Sequence, residues 1–303
     1  MRSRFLLSVL LLGAAPAFAN YKELTNIPVD PGLETRIRVA AERSLQQLPK
    51  LKAEDLAISI VDLTNPELPA RADYHGDAPF YPASVIKIFF MADIYMLHKE
   101  AIPDVPRALK EMIVQSDNDA TAYLVDIEAG TSGGPELQGR SLTRFINKRR
   151  AINNRFKSLG YDVSAMMKPW SFGPFGRDRQ VLGKNRENRN RLTANATCSL
   201  MLWIARRRAV SPQASEAMMG MMHRPLNPQR EDENQVKEFI GEVLPEGSKL
   251  WSKAGWTSEV RHDAAYIELP TGRKLVLIVF TRGQADDKTI VPVIAKNVLS
   301  ELQ

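Results

Sequence analysis

Apolar residues recur at helical spacing through Leu33, Ile37, Ala41, Leu45 and Leu48, and Pro49 closes the run. That period marks one buried helix face. Asp30-Pro31, just ahead of it, supplies an N-cap and a first-turn proline. From Leu56 to Leu63 the pattern changes to a strand, with β-branched Ile58 and Ile60. Near the other end, 249–253, 262–269 and 274–281 read as three more strands, the last two joined by a Pro270-Thr271-Gly272 hairpin turn. A closing helix from about Ile290 carries Val293, Ile294, Val298 and Leu302. Between these ends the pattern is helical. The stretch Ser84 to Leu97 is apolar nearly all round, as in a buried helix. Segments 105–114, 118–127, 142–159 and 193–207 read as further helices, and 168–190, rich in Gly, Pro, Arg and Asn, as a long loop. There is no internal repeat. These elements predict an α/β protein of the α+β type, with a sheet assembled from both chain ends (about 20–80 and 245–303) and an all-helical part, about 81–244, inserted between.

Composition changes this picture little: 44% of the residues are hydrophobic and 25% charged, as expected for a chain with a packed core. The first residues are the exception. Arg2 and Arg4 precede an apolar run, Phe5 to Leu12, and Ala17-Phe18-Ala19 has the small residues of a cleavage site. Residues 1–19 therefore read as an export signal, too short to span a membrane, and 20–303 as one mature domain, periplasmic or secreted. No cysteine follows the cleavage site to carry a lipid. A single cysteine, Cys198, allows no internal disulfide, and its apolar helical surroundings predict a buried structural thiol.

Net charge is +6, and its excess is concentrated: 144–191 holds thirteen Lys/Arg against three Asp/Glu. Such a run is either a solvated face or a surface for an anionic cell-wall polymer. No nucleic-acid motif accompanies it. The four histidines, His75, His98, His223 and His262, lie far apart without metal-ligand spacing, so neither a metal nor another cofactor is expected. No Gly-x-Ser-x-Gly elbow is present, which disfavours a Ser-His-Asp hydrolase.

Candidate chemistry begins at Ser84-Val85-Ile86-Lys87. Pro82 sets Ser84 at a helix start, and residues three apart share a helix face. A lysine on so apolar a helix is desolvated, which favours its neutral, proton-accepting form. Alone the motif carries little weight, since about one Ser-x-x-Lys is expected by chance in an average chain of this size. Two further elements add to it: Ser116-Asp117-Asn118 between two helices, and Lys253-Ala254-Gly255 at a strand end, where glycine permits close backbone approach.

In this order, the three elements resemble those of the class A β-lactamase and penicillin-binding protein superfamily. The resemblance spans nearly all of the mature chain and includes Gly133-Gly134-Pro135 after the second element. It implies an antiparallel sheet flanked by helices and an acyl-enzyme formed on Ser84. Lys87 would deprotonate Ser84, Ser116 would relay the proton to the leaving nitrogen, and Lys253 would supply positive charge. Asn118 would hold Lys87 and a substrate amide. The backbone N–H groups of Ser84 and Trp256 would form the oxyanion hole, because Trp256 follows Gly255 on the strand. Arg261 lies where the family often keeps an arginine for a substrate carboxylate.

Four departures qualify these roles. Ser84 and Ser116 are only 32 positions apart, which shortens the helical segment between them. Ala254 replaces a hydroxyl residue, leaving Thr257 or Ser258 to compensate. The 142–191 segment is long and basic. The loop glutamate that activates the deacylating water in class A enzymes has no counterpart: the aligned position is Trp170, with Asp178, and after it Glu187, as substitute bases. Three readings follow: a hydrolase of β-lactams or of peptides ending in a D-amino acid, a penicillin-binding sensor that stays acylated, and a cell-wall binding protein without activity. The intact serines and lysines rank the last lowest.

Overall fold

The computed structural model describes residues 22–170, 173–227 and 235–302, so the segment read as an export signal lies outside it. A short α1 (Lys22–Thr25) precedes α2 (Pro31–Gln47), whose cap is the expected one: Asp30 Oδ1 accepts from Leu33 N at 2.6 Å. The chain then forms β1 (Leu56–Asp62) and β2 (Ala70–Tyr74), which enter a six-stranded sheet. Its other strands are β3 (His223–Arg224), β4 (Lys249–Trp256), β5 (Val260–Glu268) and β6 (Lys274–Arg282). The order is β2-β1-β6-β5-β4-β3, antiparallel throughout.

Alternation along the strands sorts their side chains between two cores. Leu275, Leu277 and Val279 join Ile58 and Ile60 on the face covered by α2 and α10 (Ile290–Glu301). Val276, Ile278 and Phe280 join Ala57 and Val61 on the other face, against α8 (Ala194–Ala205). Both faces are covered, which is why β5 and β6 read as nearly continuous apolar runs. Helix α8 is buried along most of its length and carries Cys198, whose thiol is pushed up to about 12 by burial.

Between the sheet halves lie α3 (Lys87–Met96), α4 (Val105–Lys110), α5 (Asn118–Ala129), α6 (Gly139–Ser158), α7 (Gly176–Leu182) and α9 (Pro212–Met222). Several elements escaped the pattern, α1 and α9 among them. Strand β2 is a five-residue edge strand whose inward face is only Ala70, Ala72 and Tyr74, β3 is only two residues long, and α7 interrupts the stretch read as one loop. Among the described residues no helix is long and apolar enough to cross a membrane.

The basic segment is not wholly a surface. Arg155 binds Asp93 through its Nε at 2.6 Å and reaches Glu128 at 3.3 Å, and burial raises both carboxyl pKa values. Arg149 is buried on α6, where it binds Asp126 and, at 3.1 Å, Asp178 of α7. Arg149 thus fastens α7, and the loop leading into it, to the helical part. Replacing one member of a buried ion pair strands its partners' charges. Arg149→Met is expected to destabilise the protein by about 3–5 kcal/mol in urea unfolding; a loss below 1 kcal/mol would show that the brace is dispensable.

Candidate active site

Ser84 lies in a 3₁₀ turn, Ala83–Ile86, that runs directly into α3. Side chains three apart eclipse one another in a 3₁₀ turn, so Ser84 and Lys87 share one side of it. Ala83 enters the turn with φ 46°, a conformation that non-glycine residues seldom adopt. Lys87 is the first residue of α3 and is only 1% exposed. Its Nζ donates to the carbonyl of Ser116 at 2.6 Å, to Asn118 Oδ1 at 2.9 Å and to Ser116 Oγ at 3.2 Å. Burial lowers its pKa to about 7, against a smaller opposing pull from Asp117.

The acceptors come from an irregular junction. A π turn, Glu111–Gln115, ends α4, and Ser116 follows with φ 58°, in the left-handed region. Such a backbone costs about 1–3 kcal/mol for a residue with a Cβ and persists where its surroundings hold it. Here Lys87 holds the Ser116 carbonyl, and Asp117 caps α5 by accepting from Ala120 N at 2.6 Å. Ser-Asp-Asn therefore divides its labour: Asp117 starts the helix, while Ser116 and Asn118 face the lysine.

Strand β4 forms the opposite wall. A Cβ on Gly255 would stand 2.8 Å from the backbone nitrogens of both Ser84 and Val85 and 3.0 Å from the Pro82 carbonyl oxygen. Glycine is required here because the strand backbone lies directly against the turn that carries Ser84. Trp256, 47% exposed, and Thr257 follow at the cleft mouth. A cleft of about 290 Å³ opens between these elements, lined by Ser84, Lys87, Asn118, Trp170, Trp256 and Thr257 among others. No Asp, Glu or His is among the described lining residues.

Four expected roles meet a different geometry. Arg261 pairs in register with Trp256 but turns away from the cleft. Its Nε donates to the Ala285 carbonyl at 3.0 Å, its Nη1 reaches Glu238 at 3.3 Å, and it lies over the Phe239 ring. Asp178 is buried on α7, held by Arg149 and 3.6 Å from Lys168 Nζ, and is not among the residues lining the cleft. Glu187 lines a neighbouring groove, where it accepts from Asn185 N at 3.0 Å. Lys253 is fully buried and does not line the open cleft, its Nζ donating to Gln235 Oε1 at 2.6 Å. Trp170 does line the cleft, in the wall where a deacylating base was sought.

Sequence reasoning missed Gln235, Lys168 and Arg189. Lys168 lines the cleft while bound to Asp126 at 3.1 Å, and Arg189 lies 3.7 Å from the Tyr81 ring and binds Glu259 at 2.7 Å. No motif carries them, because each is placed by partners on other segments of the chain: Lys168 by Asp126, Arg189 by Glu259, and Gln235 by the turn before Ser116 and by β4.

A family model for the beta-lactamase enzyme family matches residues 97–300. The chain belongs to that family. Ser84 and Lys87 fall just ahead of the matched stretch. Solved structures share the fold. PBP-A superposes with a TM-score of 0.64 at 17% identity, covering 91% of this chain and 98% of its own. A beta-lactamase from Sphaerobacter thermophilus gives 0.60 at 20% identity, covering 88% and 96%. A class A beta-lactamase from Bacteroides cellulosilyticus gives 0.61 at 18%, covering 90% and 99%. No curated protein matches. Membership and fold together make the chain a β-lactamase-like serine hydrolase.

The Gly255 contact gives a direct test of how this family site is built here. In Gly255→Ala the methyl group meets backbone atoms that cannot swing away, and overpacking of this kind costs about 1–3 kcal/mol. Melting should fall accordingly and labelling of Ser84 by an activated ester should be lost; a variant that labels at the parent rate would refute the close approach of β4.

Proposed function

We propose that this protein forms an acyl-enzyme on Ser84 with β-lactams or with peptides ending in a D-amino acid, and that it releases β-lactam acyl groups slowly. The observation that carries the reading is Lys87: buried, able to be neutral near pH 7, and within 3.2 Å of Ser116 Oγ. Ser84 Oγ attacks the carbonyl carbon while Lys87 takes its proton. The N–H groups of Ser84 and Trp256, brought together by Gly255, stabilise the oxyanion. Ser116 then passes the proton to the leaving nitrogen as the C–N bond breaks. In support, a mutant of the structural neighbour PBP-A is captured as an acyl-enzyme complex with penicillin G.

Hydrolysis of the ester needs a water deprotonated beside it, and general-base help is typically worth about 10²–10⁴-fold. The described lining offers Trp170 and cations where such a base would stand, which favours a peptidase or a sensor over an efficient β-lactamase. We place the protein outside the cytoplasm, on the signal-like residues 1–19. The exposed part of the basic segment, including Arg144, Lys148 and Arg150, suits contact with anionic cell-wall polymer. Such binding should fade as salt rises, since screening acts over about 10 Å at 0.1 M; no retention at low salt would oppose it.

Two kinetic outcomes are expected. Acylation should rise with pH and level off above about 7, because only the neutral amine accepts the proton. Lys87→Arg keeps the charge, loses the base and should acylate at least about 10²-fold more slowly; parent rates would remove Lys87 from this role. With a chromogenic cephalosporin, one equivalent should be released per protein, followed by a steady rate near background. Sustained fast turnover would mean that another group supplies the deacylating base.

A further inference from the structure

Between the Ser116 junction and β4 lies the buried side chain of Gln235, beside the buried Arg224, whose Nη2 donates to the Ile113 carbonyl at 2.8 Å. Its Nε2 donates to the carbonyls of Val114 at 2.9 Å and Ile113 at 3.2 Å, in the π turn just before Ser116. Its Oε1 accepts from Lys253 Nζ at 2.6 Å and from Ala254 N at 3.1 Å, on β4. The amide is thus used at both ends and bridges the two walls. It is firmly seated: the following Val236, Phe239 and Ile240 are buried, and Ile240 N donates to Asp263 at 3.1 Å.

The position that Gln235 Oε1 takes is an anion's. It is met by a lysine nitrogen and a backbone N–H, the donor pair that would receive a carboxylate oxygen. It also lies on the leaving-group side, because Ser116, next to the carbonyls that hold Gln235, is the group that hands the proton to the leaving atom. Two further cations that could serve there are engaged: Arg261 by Glu238 and the Ala285 carbonyl, and Arg224 by the Ile113 carbonyl. Position 254, an alanine, adds no hydroxyl. A substrate carboxylate on this side therefore finds its donors already satisfied by the protein's own amide, and must displace a buried hydrogen-bonded group to reach them.

We propose that Gln235 sets substrate selectivity by filling this anion position beside Lys253, so that the protein is acylated by amides and esters whose leaving group carries no carboxylate in preference to those that do. The inference rests on Ser84 as the acyl acceptor. Penicillins and peptides ending in a free D-amino acid, both of which carry such a carboxylate, then acylate more slowly than uncharged substrates of equal reactivity.

The test uses two thioesters with one acyl group: the benzoylglycyl thioester of thioglycolic acid, and the same compound with its carboxylate capped as a methyl ester. In each, the Ser84 Oγ–C bond forms, the C–S bond breaks, and the thiol leaves with the serine's proton by way of Lys87. The readout is the ratio of acylation rate constants, acid over methyl ester, which cancels any general loss of activity. The parent protein should favour the methyl ester by about tenfold. Gln235→Ala should raise the ratio by about tenfold, and Gln235→Glu, which sets a fixed carboxylate against Lys253, should lower it further. A structural role for Gln235 would slow both thioesters together and leave the ratio unchanged in all three proteins, and that result overturns the proposal. A second arm measures equilibrium binding of the two thioesters by calorimetry in a Ser84→Ala background. There Gln235→Ala should strengthen binding of the acid alone; equal affinities before and after the change would also overturn the proposal. If neither thioester acylates Ser84, the acyl-transfer reading fails, and the binding arm still decides the selectivity.

Discussion

The amine of Lys87 is the interaction on which the site depends. It ties the start of α3 to the junction before α5 through Ser116 and Asn118. The left-handed backbone at Ser116 and the 3₁₀ turn at Ser84 are both unfavourable alone, and the lysine spans the gap between them. The same burial that makes the amine a good anchor also favours its neutral form, because removing it from water disfavours the charge. Anchoring and readiness to be neutral thus come from one property of one side chain, set by the apolar helix that carries it.

The sheet contributes a second constraint, and it is steric. Strand β4 can lie against the Ser84 turn because position 255 lacks a Cβ. Behind it, burial pushes the partners toward neutrality: Lys253 is held well below the usual lysine range, and Asp263 is pushed up to about 7. Gln235 suits this environment, since a neutral amide can satisfy Lys253 without adding a charge to the interior. Closing the wall in this way leaves a cleft whose described lining is rich in cations and aromatic rings.

What was legible in the sequence follows from how local each signal is. The Asp30 cap, the apolar α3, the β5–β6 hairpin and the three short motifs each lie within a few residues, and the structure has the elements that carry them. Strand β2 was hidden because it is short and its residues, two alanines and an aspartate among five, have little strand preference. Arg261 misled because its strand position is as expected while its side chain is claimed by Glu238, on a segment that no local pattern ties to it. Asp178 misled for a related reason: a carboxylate in a basic stretch looks free until Arg149, 29 positions earlier, is found beside it. Gln235 could not be read at all, since its four hydrogen bonds cross from one wall of the cleft to the other.

The chemistry proposed for this site begins with covalent acylation of Ser84. Intact-mass measurement after incubation with benzylpenicillin, followed by peptide mapping, addresses it most directly. One penicilloyl group per chain, located on Ser84 and absent from a folded Ser84→Ala protein, is the predicted result. No adduct after prolonged incubation with either benzylpenicillin or an uncharged activated ester, or an adduct that persists in Ser84→Ala, would contradict it.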